Sequence, residues 1–147
     1  MIRFWDTSAL VKLYSPSEAG HREAIGRLHG RRGRAVRHAT SMIAAVELVT
    51  ALVRRTGDRA LADGAIRQLE AMSQVEFSAR HCDLALRLGL SGVARGADTA
   101  IAAQALVVAA ASPTRLEFVT ADAAQARLLR RQARARGLDF AVVELPA

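Results

Sequence analysis

The chain has 147 residues, a formal net charge of +7 at pH 7 and a single cysteine, Cys82. This length fits one domain, which we expect to span residues 1–147, and one cysteine excludes an intramolecular disulfide. The N-terminus lacks the pattern of a secretory signal peptide, so we expect a cytoplasmic protein. The longest apolar run, residues 100–111, is too short to span a bilayer, which predicts no membrane segment.

The positive charge comes almost entirely from arginine, because Lys12 is the only lysine. A planar guanidinium group binds phosphate well, so the charge is compatible with a polyanionic partner. A genome rich in G and C would produce the same composition without any such partner. Only 4% of the residues are aromatic, which argues against a stacking surface for single-stranded bases.

Apolar periodicity and helix-breaking residues predict strands that alternate with helices from the first residue onward. In chain order we predict a strand over residues 1–5, helices over 8–14 and 17–28, a strand over 35–39, helices over 42–55 and 59–72, a strand over 75–77, helices over 81–90 and 99–110, a strand over 116–120, a helix over 122–136 and a strand over 140–143. Strands separated by helices of this length pair in parallel through right-handed crossovers. The predicted fold class is therefore α/β, a three-layer α/β/α sandwich with a central parallel sheet.

Hydroxyl side chains stand at two of the predicted helix starts. We expect Thr7 or Ser8 to cap the first helix, and Thr40 or Ser41 to cap the helix over residues 42–55. The helix over residues 99–110 is too apolar for a solvated face, so we expect it to be buried.

Four carboxylates, called here the four acids, occupy positions where strands end or apolar helices run: Asp6, Glu47, Asp98 and Asp122. Asp6 and Asp122 follow predicted strands, at the edge where open α/β sheets bind ligands. Helix capping is the simpler explanation for Asp98 and Asp122 taken singly. Glu47 lies in a helix with almost no polar face, where a carboxylate must be paired, hydrogen-bonded or bound to a cation.

A cluster of carboxylates without matching histidine or cysteine spacing favours a hard cation, Mg²⁺ or Mn²⁺. The histidines show no spacing typical of zinc ligands: His21, His29, His38 and His81. The chain also lacks the glycine-rich phosphate-binding loops GxxxxGK[ST] and GxGxxG and the nucleophile elbow G-x-S-x-G. These absences argue against the nucleotide-binding folds that carry such loops and against an elbow-type hydrolase.

Four sequence blocks around the four acids resemble the PIN-domain family, in particular the small ribonuclease toxins of the VapC type from bacterial toxin–antitoxin pairs. The blocks are FWDTSALVK at residues 4–12, VEL at residues 46–48, ADTAIA at residues 97–102 and VTAD at residues 119–122. Their order, residue types and approximate spacing agree with the family over nearly the whole chain.

The resemblance implies a metal-dependent endoribonuclease whose cofactor is Mg²⁺ or Mn²⁺. It implies that the four acids are both catalytic residues and metal ligands, with Asp122 the fourth member of the site. Thr7 or Ser8 would assist by hydrogen bonding, and Thr120 would orient Asp122. Without metal, repulsion among the carboxylates would leave at least one of them protonated. The implied partners are an RNA substrate, a cognate antitoxin protein and a second copy of the chain in a homodimer.

Two groups of arginines could hold an RNA backbone outside the acidic centre, although a solvated surface explains the second group equally well. The first lies in a loop and the second on the last predicted helix: Arg31, Arg32 and Arg34, and Arg127, Arg130, Arg131, Arg134 and Arg136. One charged residue departs from the usual family pattern, because Arg3 falls inside the first strand. We expect it to lie at a frayed edge or to be paired.

Three alternatives remain open from the sequence. A receiver-like phosphoacceptor domain also places acids after parallel strands, but it needs a paired acid early in the chain and a lysine late. A degenerate PIN domain would bind RNA or a partner without cleaving it. A PIN nuclease that processes DNA or structured ribosomal RNA would keep the fold and change the substrate.

Overall fold

The computed structural model describes residues 1–30 and 35–147. These residues form five strands and seven helices. The strands are β1 (Ile2–Trp5), β2 (Arg37–Ser41), β3 (Ser73–Val75), β4 (Leu116–Thr120) and β5 (Phe140–Glu144). The helices are α1 (Thr7–Lys12), α2 (His21–His29), α3 (Met42–Thr56), α4 (Arg59–Glu70), α5 (Ala79–Gly89), α6 (Gly96–Ala111) and α7 (Ala123–Ala135).

The five strands form one parallel sheet in the order β3-β2-β1-β4-β5. The predicted α/β/α fold class is confirmed. This strand order differs from the order 2-1-3-4-5 of flavodoxin-like sheets, the type to which receiver domains belong. The topology therefore argues against the receiver-like alternative.

The central strand β1 is buried along its whole length, as expected for a strand covered on both faces. Phe4 and Trp5 are fully buried, and the Phe4 ring stacks on Phe118 of β4 at 5.8 Å between centroids. Arg3 is also buried, and its Nε donates to Oε1 of Glu117 on the neighbouring strand over 2.5 Å. Of the two expectations for Arg3, pairing is therefore the correct one.

Several element boundaries differ from the prediction because tertiary contacts decide them. The helix predicted from residue 17 begins at His21, after a turn that ends at Gly20 with φ +83°. A Cβ at Gly20 would lie 2.9 Å from the backbone oxygen of Pro146, so the close approach of the C-terminal segment also requires glycine. The strand β2 ends at Ser41, later than predicted, because its register follows β1, with Trp5 opposite Thr40.

The capping predictions had mixed outcomes. Ser41 caps α3 by accepting a hydrogen bond from the backbone N–H of Ile43, as predicted. The prediction for α1 was wrong, because the capping side chain is Asp6 and not Thr7 or Ser8. The helix α6 is buried from Thr99 to Leu106, the first two thirds of the segment for which burial was predicted. In the part of the chain that the structure describes, no helix is long and apolar enough to cross a membrane.

Candidate functional site

A cleft of about 680 Å³ opens beside the carboxyl ends of β1 and β4. Glu47, Asp98 and Asp122 line this cleft, together with the hydroxyl residues Thr7 and Ser8. We call it the acidic cleft. Its acids come from four separate segments, because Asp6 follows β1, Glu47 lies in α3, Asp98 lies in the first turn of α6 and Asp122 precedes α7.

Asp6 lies beneath the acidic cleft and is only 1% exposed. Its Oδ2 accepts hydrogen bonds from the backbone N–H of Ser8 over 3.1 Å and from Ser8 Oγ over 2.6 Å. Thr120 Oγ1 lies 3.0 Å from the same oxygen, and Gln125 Nε2 donates to Oδ1 over 3.2 Å. Burial raises the pKa of Asp6, although these hydrogen bonds act in the opposite direction.

Two hydroxyl groups connect the ends of β1 and β4 beneath the cleft. Ser8 Oγ donates to Asp6 and accepts from the backbone N–H of Ala121 over 2.8 Å. Thr120 Oγ1 accepts from the backbone N–H of Asp122 over 3.0 Å. The predicted role of Thr120 in orienting Asp122 is supported by this hydrogen bond, which reaches the backbone of Asp122 and not its side chain.

Asp98 experiences the negative charges of the other three acids. Burial is the largest cause of its raised pKa, and the charges of Asp6, Asp122 and Glu47 raise it further, to about 6. The structure therefore brings the four predicted acids within electrostatic reach of one another. Asp98 does not cap its helix, because the N-cap residue of α6 is Arg95, so the capping explanation fails for Asp98.

Glu47 and Asp122 each have a local hydrogen-bond partner. Thr7 Oγ1 donates to Glu47 Oε2 over 2.6 Å. This half-buried carboxylate therefore has a hydrogen-bond partner outside its own apolar helix. Asp122 caps α7, since its Oδ1 accepts from the backbone N–H of Gln125 over 2.9 Å. For Asp122 the capping role is therefore real, and it does not exclude a second role in the cleft.

Within residues 1–30 and 35–147, no three His, Cys, Asp or Glu side chains converge closely enough to hold a metal ion as they stand. Asp6, Glu47 and Asp122 each point at least one oxygen toward a donor of the protein. The assignment of the four acids as catalytic metal ligands therefore stays a prediction.

Gln125 is a residue of the site that the sequence analysis missed. Its side chain is fully buried, and Nε2 donates to Asp6 and also to the backbone carbonyl of Asp98 over 3.1 Å. The spacing Asp122-x-x-Gln125 is a capping-box pattern, which marks the helix start and could have drawn attention to Gln125.

The basic residues that line the acidic cleft are not among the arginines singled out from the sequence. They are Lys12, Arg54, Arg55 and Arg95. Of the predicted arginines, those on α7 are exposed, and Arg130 pairs with Glu144 over 3.0 Å. Among the described residues, no arginine of α7 lines this cleft. The other predicted arginines, Arg31, Arg32 and Arg34, lie outside the described residues.

Comparison with known families agrees with the fold and with the sequence blocks. Residues 3–131 match the family model described as PIN domain. The chain belongs to the PIN-domain family. This membership confirms the resemblance inferred from the four blocks around the acids. No curated protein sequence matches this PIN-domain chain.

Solved structures with a similar fold include toxins of the VapC type. VapBC-1 of nontypeable Haemophilus influenzae matches with a TM-score of 0.66 at 15% identity, covering 98% of each chain. VapBC2 of Rickettsia felis, bound to a DNA fragment from its promoter, matches with a TM-score of 0.63 at 16% identity, covering 99% of each chain. Mycobacterium tuberculosis VapC20, described as a toxin that cleaves the sarcin–ricin loop, matches with a TM-score of 0.61 at 24% identity, covering 99% of each chain.

Proposed function

We propose that this PIN-domain protein is a metal-dependent endoribonuclease, the toxin of a VapBC-type toxin–antitoxin pair. The observation that carries the proposal is the position of Glu47, Asp98 and Asp122 in the wall of one cleft, with the buried Asp6 beneath it. Burial, and then the charges of the other three acids, raises the pKa of Asp98 to about 6. Such a concentration of negative charge repels a phosphodiester unless a cation is present. Carboxylate oxygens are the ligands that Mg²⁺ and Mn²⁺ prefer.

The side chains in the cleft fit a divalent cation chemically. Glu47, Asp98 and Asp122 would hold it from the cleft wall, and Asp6 would support it from below, directly or through water. A bound divalent ion polarises a phosphodiester oxygen and lowers the pKa of a coordinated water. The mutual repulsion that raises the pKa of Asp98 is the energetic cost that such a cation would offset.

The residues around the acids would position them for this chemistry. Ser8 and Gln125 hold the two oxygens of Asp6 in a fixed orientation. Thr7 holds Glu47 against the start of α1. The basic groups of the cleft, such as Arg95, would bind the RNA backbone on either side of the acids, because guanidinium groups match phosphate geometry.

The proposed partners follow from the proteins with a similar fold. VapC20 is described as an RNA-loop cleaving toxin, which supports RNA as the substrate class here. Several similar structures are toxin–antitoxin complexes, including one from Klebsiella pneumoniae, which supports a cognate antitoxin protein as a second partner. A homodimer and a cytoplasmic location remain predictions.

The test is cleavage of total cellular RNA by the purified, antitoxin-free protein in Mg²⁺, in Mn²⁺ and in EDTA. The wild type would be compared with Asp98→Asn and with Asp63→Asn, which makes the same charge change at an exposed position of α4. We expect discrete products that require metal, disappear in Asp98→Asn and persist in Asp63→Asn.

Two results would contradict this proposal. A folded wild type that cleaves no RNA with either metal would indicate a non-catalytic PIN domain. Cleavage that persists in EDTA, or that Asp98→Asn retains at the wild-type rate, would show that the acids do not form a metal-dependent centre.

A further inference from the structure

A second charged cluster lies in the wall of the acidic cleft, and the four acids take no part in it. Lys12 Nζ lies 3.0 Å from Glu18 Oε2, and Arg55 Nη1 lies 3.3 Å from Glu18 Oε1. All three residues line the same cleft as Glu47 and Asp98. One carboxylate therefore bridges an ammonium group and a guanidinium group beside the proposed catalytic acids.

Lys12 is the fixed member of this cluster. It ends α1, and its side chain is only 9% exposed, so its charge requires an anionic partner nearby. Its backbone oxygen lies 2.7 Å from His21 Nδ1, which ties the end of α1 to the start of α2. The Lys12 ammonium group therefore favours any anion that reaches it, and in this structure that anion is the Glu18 carboxylate.

Glu18 is the member that can move. It lies in the turn between α1 and α2, outside any helix or strand, and its side chain is 39% exposed. Arg55, in the last turn of α3, is 59% exposed. The ion pair between Glu18 and Arg55 therefore contributes little net stability, and an external anion that also contacts Lys12 can replace the Glu18 carboxylate at small cost.

The position of the cluster relates it to the acids through two helices that pack together. Thr7 at the start of α1 contacts Glu47 in α3, whereas Lys12 at the end of α1 is joined through Glu18 to Arg55 near the end of α3. The cations thus lie about two helical turns along α3 from Glu47, at a rise of about 1.5 Å per residue. A single strand of nucleic acid crossing the acids can reach them.

We propose that Lys12 and Arg55 form a backbone phosphate subsite, in which the Glu18 carboxylate occupies the phosphate position until RNA displaces it. The proposal rests on the nuclease function proposed above. The carboxylate bonded to both cations shows that the pocket accepts a two-oxygen anion, and two non-bridging phosphate oxygens offer the same acceptors. Glu18 would therefore weaken RNA binding by competing for the subsite.

RNA fits this pocket better than an acidic segment of a protein. The subsite shares its cleft with the acids proposed to cleave RNA, and Arg54 and Arg95 line the same cleft, so a polyanion can contact several cations in one passage. An acidic segment of a protein could contact the same cations, but the acids of the cleft would have no reaction to perform on it. Binding of such a segment is the alternative outcome of the test.

The experiment measures binding of a short fluorescein-labelled single-stranded RNA by anisotropy, with Mg²⁺ and at NaCl concentrations between about 50 and 200 mM. All variants carry Asp98→Asn so that the RNA is not consumed. Glu18→Gln is compared with Glu23→Gln, which makes the same charge change at a glutamate paired with Arg27 on α2. Arg55→Gln is compared with Arg59→Gln, at an exposed arginine of α4.

We expect Glu18→Gln to tighten RNA binding about two- to fivefold, the effect of removing a partly exposed ion pair. Arg55→Gln should weaken binding by a similar factor and reduce the slope of log K against log[salt] by about 0.7, one phosphate contact on a single strand. Glu23→Gln and Arg59→Gln should leave both quantities close to those of the parent. Because Arg55 is exposed, its substitution tests the subsite without a risk to folding.

The possible failures are distinguishable. If the wild type cleaves RNA but Glu18→Gln binds it no more tightly than Glu23→Gln, the subsite is wrong and the nuclease proposal stands. If Glu18→Gln tightens binding but the wild type cleaves no RNA with either metal, the nuclease proposal fails and the subsite stands as an RNA-binding site. If Glu18→Gln tightens binding of polyglutamate but not of RNA, the pocket binds protein and the proposal is overturned.

Discussion

The side-chain amide of Gln125 donates a hydrogen bond to Oδ1 of Asp6 over 3.2 Å. The same nitrogen donates to the backbone carbonyl of Asp98, and the backbone N–H of Gln125 donates to Asp122. One fully buried residue therefore holds together the segments that carry three of the four acids. Its position on α7 depends on the cap that Asp122 forms, so the site and the helix start are built from the same contacts.

The first prediction concerns Gln125→Met, which keeps the size of the side chain and removes its hydrogen bonds. Polar atoms of Asp6, Asp98 and Thr120 would lose a buried partner, so we expect a loss of roughly 1–3 kcal/mol in the free energy of unfolding. Because Asp6 would lose its orientation, RNA cleavage should fall about tenfold to a hundredfold, even well below the melting temperature. Urea denaturation and cleavage kinetics measure the two effects.

The matched control is Gln132→Met on the same helix, where, among the described residues, the side chain of the glutamine is hydrogen-bonded to Arg136 alone. This variant should keep both stability and cleavage. The positioning role of Gln125 would be rejected if Gln125→Met cleaved RNA as fast as Gln132→Met while being less stable.

The second prediction is that Asp98→Asn abolishes cleavage and stabilises the metal-free protein. The neutral amide removes repulsion from the other three acids, which contributes to the pKa of about 6. Asp98 is only partly buried, so solvent screens much of this repulsion. We therefore expect the free energy of unfolding to rise by roughly 1 kcal/mol, or the Tm by about 2–4 °C. Thermal unfolding in EDTA measures it, with Asp63→Asn as the control, and a lower Tm for Asp98→Asn would contradict the prediction.

The third prediction is stabilisation by Mg²⁺ that depends on the four acids. A ligand that binds only the folded protein at ten times its Kd adds roughly 1.4 kcal/mol to the free energy of unfolding. We expect the Tm of the wild type to rise with Mg²⁺ and that of Asp98→Asn to rise far less. Equal shifts in the two proteins would show that the ion binds elsewhere. Arg59→Gln serves as a charge-changing control away from the cleft.

The sequence predicted structure and site best where the local pattern allows only one physical explanation. The boundaries of β4 agree with the prediction residue for residue, because a short strand that begins soon after Pro113 and ends before Asp122 is bounded by its own sequence. The four acids were singled out by their positions at strand ends and in apolar helices, and Glu47 in particular because a carboxylate in an apolar helix requires an explanation that local structure does not supply. Asp6 was placed correctly, but its second role as the cap of α1 was assigned to its neighbours.

Contacts between distant segments account for what the sequence did not reveal. The ion-pair cluster of Lys12, Glu18 and Arg55 forms only when α1, the following turn and α3 pack together. The spacing of these residues in the sequence does not indicate that they meet. Residue 20 must be glycine partly because the C-terminal segment lies against it and leaves no room for a side chain. The arginine-rich pattern of α7 did not indicate which charges line the cleft, and whether the α7 arginines contact RNA stays a prediction.

The fourth prediction concerns pH and His38 on β2. Trp5 Nε1 donates to His38 Nδ1 over 2.9 Å, which requires an unprotonated Nδ1. Burial, and then the charges of Arg3 and His29, lower the pKa of His38 below its ordinary value of 6.5. The unfolded chain therefore binds this proton more readily, and stability is lost as the pH falls below about 6.5.

The variant His38→Gln keeps an acceptor for the indole and cannot be protonated. We expect its free energy of unfolding, relative to the wild type, to improve as the pH is lowered from 7.5 to about 5.5. Urea denaturation across this range in EDTA gives the difference, and taking the difference removes the titration of the acids. His29→Gln, at an exposed position, should change the pH dependence far less than His38→Gln, because His29 is only the smallest of the three causes that lower the pKa of His38. A pH-independent difference for His38→Gln would refute the prediction.

The fifth prediction follows from the ion-pair network of Arg3, Glu117 and Arg27. Glu117 accepts from Arg3 and also lies 3.4 Å from Arg27, whereas Arg3 has Glu117 as its carboxylate partner and donates otherwise to the backbone oxygen of Arg27. Glu117→Met would leave a buried guanidinium without its carboxylate partner and cost roughly 3–5 kcal/mol in the free energy of unfolding. Arg3→Met would leave Glu117 paired and cost less.

Urea denaturation of both variants and of Arg3→Met/Glu117→Met checks this order, and the double variant should be more stable than Glu117→Met alone. Because the pair lies in β1 and β4 away from the acids, RNA cleavage by folded protein should be unchanged, and equal losses for the two single variants would contradict the account.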